Sequence, residues 1–182
     1  MKKTLKIIGV SILVLILFRG MIFRLAVKYN EIGSRPEIEI TSKKLIGKID
    51  SKSENKKIDL KEILEIADNI TKEELEFTTN RAPNNPNELI HTNQANCIGY
   101  SAMFNSISNY LIRKNDLQNE IASEHKIGQL ELFGINLHQF FDSSFYRDHD
   151  FNEITNKQSA EKFFIDPSVS DYLRIKRVAK KE

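Results

Sequence analysis

The apolar period of this chain changes part-way along. That change restricts the chain to folds in which helices come first and an antiparallel sheet follows. Leu60, Ile63, Leu64, Ala67 and Ile70 recur at helical spacing behind Asp59, a fair N-cap residue. Tyr100, Met103, Phe104, Ile107, Tyr110 and Leu111 make a second helical face. Between them, residues 71–74 read as a capping box that restarts a turn, and residues 80–87 as a loop holding two prolines and four asparagines. After Asn119 the period becomes two. Residues 127–133, 151–154 and 162–166 read as strands and 171–178 as a last one, with Gly128, Gly134 and several Asn and Asp residues marking turns. The expected class is α+β, a helix layer packed on an antiparallel sheet.

Ahead of that domain, residues 7–18 are apolar apart from Gly9 and Ser11, and residues 21–27 are apolar apart from Arg24. A spanning helix needs about 20 largely apolar residues. Residues 5–27 reach that length only if Arg19 and Arg24 snorkel to the interface. The reading is an N-terminal membrane anchor over 1–27, with a domain on the periplasmic or extracellular side. Secretion after signal cleavage is the alternative, although no small-residue cleavage site is present. Residues 28–57 are polar and read as a stalk, with one edge strand at 37–41, and the domain proper as 58–182. Residues 1–27 hold five basic residues and no acid, so the remainder holds 22 basic and 25 acidic residues, a net charge of −3. A mildly acidic domain without a basic run argues against nucleic acid as its partner.

Cys97 is the only cysteine, so an intrachain disulfide and a multi-Cys zinc site are excluded. It opens the second helical stretch, and thiols at helix N-termini or beside an imidazolium are shifted toward the reactive thiolate. His149 follows in Asp-His-Asp-Phe-Asn-Glu-Ile, and Asp166 in Phe-Phe-Ile-Asp-Pro-Ser. A thiol nucleophile, an imidazole that holds its proton and a third group that orients the imidazole are the parts of acyl-transfer chemistry. His138, beside Phe140 and Phe141, is the alternative base. His125 and His91 read as surface residues. No His-x-x-x-His or similar spacing supports a metal site, and no cofactor is called for.

This order and spacing resemble the transglutaminase-like superfamily, which shares its core layout with papain-like cysteine proteases. In that family a Cys starts a helix, and a His and an Asp follow on neighbouring strands. Residues 149–154 keep a His, an aromatic two later, a Glu four later and an aliphatic five later. Asp166-Pro-Ser is similar to the family's Asp-Pro-Thr. His149 and Asp166 are 17 residues apart, and Cys97 and His149 are 52 apart, which would fit an elaborated loop around residues 136–147. The chain departs from the family in having no Trp; Phe151 stands where one is common. The resemblance implies a catalytic set of Cys97, His149 and Asp166. Oxyanion donors would be the Cys97 backbone N–H and a loop side chain, Gln94 first, then Asn96 or Asn93. The implied substrate is a peptide, protein or peptidoglycan-like amide. Some family members keep the fold without the chemistry, so a non-catalytic anchored binding module is the rival function.

Overall fold

The structure is a computed structural model. It describes residues 2–141 and 147–181, with the side chains of residues 2–8, 10 and 11 outside that description. Residues 142–146 of the expected elaborated loop therefore lie outside the described residues, as do the side chains of the lysines at the start of the expected anchor.

The chain begins with helix α1 (Lys2–Ala26), which runs directly into strand β1 (Val27–Arg35). Helices α2 (Lys43–Ser53) and α3 (Leu60–Glu74) follow, then β2 (Glu76–Phe77), α4 (Pro86–Thr92), β3 (Gln94–Ala95) and α5 (Cys97–Lys114). The main sheet is completed by β4 (Ile121–Leu132), β5 (Ile135–Asn136), β6 (His149–Asn156) and β7 (Lys162–Ile165), with α6 (Pro167–Leu173) after it. Its antiparallel order is β1-β4-β6-β7, and β5 pairs with the end of β4. The fold is thus α+β, with helices packed on an antiparallel sheet.

α5 lies over β4 and β6, with α3 on its far side. Met103, Phe104, Ile107 and Leu111 of α5 meet Ile63, Ala67 and Ile70 of α3 and Ile154 and Ile165 of the sheet in the main core. Alternation along β6 sends Asp150, Asn152 and Ile154 toward α5 and His149, Phe151 and Glu153 to the other face. On that other face Tyr29, Phe151 and Val178 form a second cluster.

Several expectations change. Residues 28–57 are not a stalk. They supply β1, whose Tyr29 is fully buried, and α2, whose Leu45 and Ile49 enter the core. β1 is a half-buried edge strand whose register shifts between Glu31 and Gly33, and that shift breaks the alternation that would have marked it. Residues 37–41 form no strand, although Ile40 is buried. No turn restarts at Thr71: α3 continues to Glu74 with Thr71 inside. Residues 171–178 are the end of α6 and an extended tail rather than a strand. Asp166 caps α6 and Pro167 takes its first position, where a missing N–H costs nothing. The tail then bridges the sheet's two edges: Val178 N donates to Phe164 O at 2.9 Å and Tyr29 N donates to Ala179 O at 2.8 Å.

α1 is a continuous helix as expected, but among the described residues no helix is long and apolar enough to cross a membrane. Arg19 and Arg24 interrupt its apolar run. Ten of its large apolar side chains between Ile12 and Leu25 are 40–69 % exposed, so the rest of the chain leaves most of this helix uncovered. Its last turns belong to the domain: Phe23 packs against the Tyr29 cluster, and Arg19 Nε donates to Leu173 O at 2.9 Å.

Candidate active site

Three elements converge at one end of the sheet. α5 starts at Cys97 because Asn96 caps it, its side-chain oxygen accepting from Ile98 N at 3.1 Å and Gly99 N at 3.2 Å. Gly99 is where loop and helix meet most closely: a Cβ there would lie 2.8 Å from the Cβ of Ala95 and 3.2 Å from Pro83 O. Cys97 is buried, and among the described residues its backbone N–H has no hydrogen-bond acceptor, as befits the first turn of a helix. His149 is the first residue of β6, where strand alternation turns its ring toward Tyr29 and its place at the strand end leaves it beside the start of α5. Asp166 follows β7, the next strand over.

His149 Nε2 lies 2.6 Å from Asp166 Oδ2. The Cys97 thiol lines the same small cavity as this imidazole and interacts with it electrostatically. Burial works against a charged imidazole here. The Asp166 carboxylate and the neighbouring sulfur outweigh it and hold the His149 pKa well above its ordinary value. As an imidazolium, His149 carries a proton on both ring nitrogens, and Nε2 donates to Asp166. Burial likewise pushes Asp166 up, but His149, Ser168 and Tyr29 hold it below the usual carboxylate range.

Asp166 accepts five hydrogen bonds. Oδ1 takes Ser168 N at 3.0 Å, Ser168 Oγ at 2.6 Å and Val169 N at 3.1 Å. Oδ2 takes His149 Nε2 and the Tyr29 hydroxyl, the latter at 2.7 Å. The Tyr29 ring also stands edge-on to His149 and Phe151, with centroids 5.9 and 5.2 Å away. Tyr29 thus supports both members of the pair, and it was missed because its segment read as a polar stalk. Tyr29→Phe removes a buried donor to a charged group, so it is expected to cost about 1.5–3 kcal/mol in a urea unfolding titration, with the fold kept.

A cavity of about 190 Å³ opens over the thiol. Its walls include Cys97, His149, Leu130, Phe77 and, from the 3-10 turn at Leu137–Phe140, His138. Phe77 is fixed by its backbone N–H donating to the Tyr172 hydroxyl at 2.8 Å and by edge contact with that ring. This space is smaller than the several hundred Å³ typical of small-molecule sites. It matches one slender group, such as a carboxamide.

The structure therefore brings Cys97, His149 and Asp166 together. It also puts His138 on the cavity wall, while the Asp166 carboxylate engages His149. Gln94 is exposed on β3 and Asn93 is exposed as well, and neither they nor Asn96, whose side-chain oxygen caps α5, are among the residues around the cavity. His91 is exposed. His125, expected at the surface, is buried on the α5 side of β4, with Nε2 2.6 Å from Asp150 Oδ2. Arg35 grips the same carboxylate through Nε at 2.5 Å and Nη2 at 3.1 Å. Its segment read as polar stalk, which hid this second charged cluster. Among the described residues no group of three or more His, Cys, Asp or Glu could hold a metal ion. No family model, no curated protein and no solved structure matches this chain.

Proposed function

We propose that this chain is a transglutaminase-like thiol enzyme that hydrolyses or transfers acyl groups from a peptide, protein or peptidoglycan-like amide. The observation that carries the reading is a single imidazole paired with a buried carboxylate and sharing the wall of a small cavity with the lone thiol. Cys97 Sγ attacks the carbonyl carbon while His149 holds the proton, and a tetrahedral oxyanion forms. The free Cys97 backbone N–H is the donor placed to meet that oxyanion. As the C–N bond breaks, His149 gives its proton to the leaving amine, and an acyl-thioester remains on Cys97. Water or a second amine then attacks the thioester, losing a proton to His149 and restoring the thiol. Asp166 orients the imidazole throughout, and Tyr29 holds Asp166.

The exposed apolar length of α1 supports a membrane location for the domain, on the periplasmic or extracellular side. A membrane-held chain stays in the pellet after an alkaline carbonate wash.

The activated ester p-nitrophenyl acetate tests the chemistry with the detergent-solubilised full chain. The expected result is a burst of one nitrophenolate per chain and an acetyl group on the Cys97 peptide by mass spectrometry. Cys97→Ser should give no burst, and His149→Gln should slow it by roughly 10²–10⁴-fold. An intact, folded chain that acquires no acetyl group would leave the binding-module reading in its place.

A further inference from the structure

The cleft between α1 and the segment after α6 holds about 600 Å³, and every charged side chain lining it is basic. Arg19 and Arg24 come from α1, Lys162 from β7, and Arg174, Lys176 and Arg177 from the tail. Only Lys162 meets a carboxylate, Glu153 at 2.7 Å; among the described residues the other five are in no ion pair. Among the described residues, other cations of the domain, such as Lys126, Lys180 and Arg35, meet carboxylates, and those that do not, such as Lys43 and Arg81, do not line this cleft. Arg19 and Arg177 are held in place without being neutralised. Arg19 donates to the carbonyls of Ile16, Leu173 and Arg174 at 2.9, 2.9 and 3.3 Å. Arg177 lies over the Phe163 ring, 4.2 Å from its centroid. Gly20 leaves room for Arg24 to fold back along α1: a Cβ there would lie 3.3 Å from Arg24 Nη1.

Like charges gathered around one cleft repel one another unless an anion joins them. The neighbouring surface indicates which anion. Leu17, Phe18 and Met21 of α1 are exposed beside the cleft, at the level where the apolar run gives way to arginine. In a bilayer that boundary is the depth of the headgroup phosphates. We propose that this cleft binds the phosphodiester of an anionic phospholipid, whose acyl chains lie along α1. The proposal rests on the membrane reading of α1 and is independent of the thiol chemistry.

The test uses the purified full chain in dodecyl maltoside micelles, with dioleoyl phosphatidylglycerol or dioleoyl phosphatidylcholine added at equal mole fraction. Lipid retention is read by native mass spectrometry, and the unfolding temperature is measured in parallel. Phosphatidylglycerol should be retained about tenfold more than phosphatidylcholine and should raise the unfolding temperature, and added salt should erase both effects. The triple variant Arg174→Gln/Lys176→Gln/Arg177→Gln should lose the preference, and Lys176→Gln alone should weaken it should the triple variant not fold. Lys43→Gln/Arg81→Gln, at exposed cations elsewhere, should keep it. Equal retention of the two lipids, or an unaltered preference in the cleft variants, overturns the proposal. So does an equal thermal shift with inorganic phosphate alone, which would make the cleft a free-anion site. Spanning is not needed in micelles, so carbonate extraction with the lipid preference intact would count only against the anchor, and loss of the preference in a carbonate-resistant chain only against the cleft.

Discussion

Asp166→Ala is expected to lose about 3–5 kcal/mol of folding stability, the usual cost of removing one partner from a buried ion pair. Loss of the α6 cap adds about 1 kcal/mol. The carboxylate is fully buried and is the common acceptor for Tyr29, His149, Ser168 and Val169, so no water replaces it. Asp166→Asn keeps an oxygen for the cap but withdraws the charge, so it should fold and lower the His149 pKa, read by NMR titration of the ring. The wild-type pH dependence follows from the two shifts. The Asp166 pKa is lowered, so its contribution is present above the unfolded carboxylate value of about 3.9 and is lost as pH falls through the folded value. The His149 pKa is raised, so its contribution is complete below the unfolded value of about 6.5 and is lost as pH rises through the folded value. Denaturation midpoints measured across pH should therefore be highest between roughly pH 4 and 6.5 as far as this pair is concerned.

Asp150→Ala is expected to cost about 3 kcal/mol in the same titration. Asp150 is fully buried and joins β1, β4 and β6 through Arg35 and His125. Burial pushes its carboxyl up, while His125 and Arg35 hold it below the usual range. Its removal strands two donors. Arg35 is 31 % exposed and turns partly to solvent, which places the loss at the low end of the range for broken buried pairs. Asp150 is next to His149 in sequence, yet strand alternation puts the two carboxylate–histidine pairs on opposite faces of the sheet. Asp150→Asn should therefore destabilise the chain without removing the His149 contact to Cys97. A thiol that goes silent in a folded Asp150→Asn chain would show that the two faces are coupled.

The meeting of Cys97, His149 and Asp166 was legible in the sequence because each lies in a short motif and their order follows the switch from helical to strand period. α3 and α5 were legible because their core faces are long and regular. β1 was not. Its strand lies at the sheet edge, half its residues are charged or polar, and its alternation slips between Glu31 and Gly33. With β1 went Tyr29 and Arg35, the residues that support the two buried carboxylates. α2 was hidden among lysines, since only Leu45 and Ile49 of its eleven residues are buried. His125 is a polar residue buried by a partner on another strand, and pairing across a sheet cannot be read from local spacing. α6 was concealed because Asp-Pro reads equally as a turn and as a helix cap with proline in the first position.

The pH profile of Cys97 alkylation by iodoacetamide, in the wild type and in His149→Ala, tests the central claim most directly. Thiolate, not thiol, is the form that reacts. An imidazolium beside the sulfur should sustain alkylation near pH 6 in the wild type. His149→Ala should reduce that rate about 10²-fold or more while leaving the circular dichroism spectrum intact, and His138→Ala should change it little. Equal alkylation rates for the wild type and His149→Ala near pH 6 would contradict the account. Loss of reactivity in His138→Ala alone would transfer the base to the cavity wall.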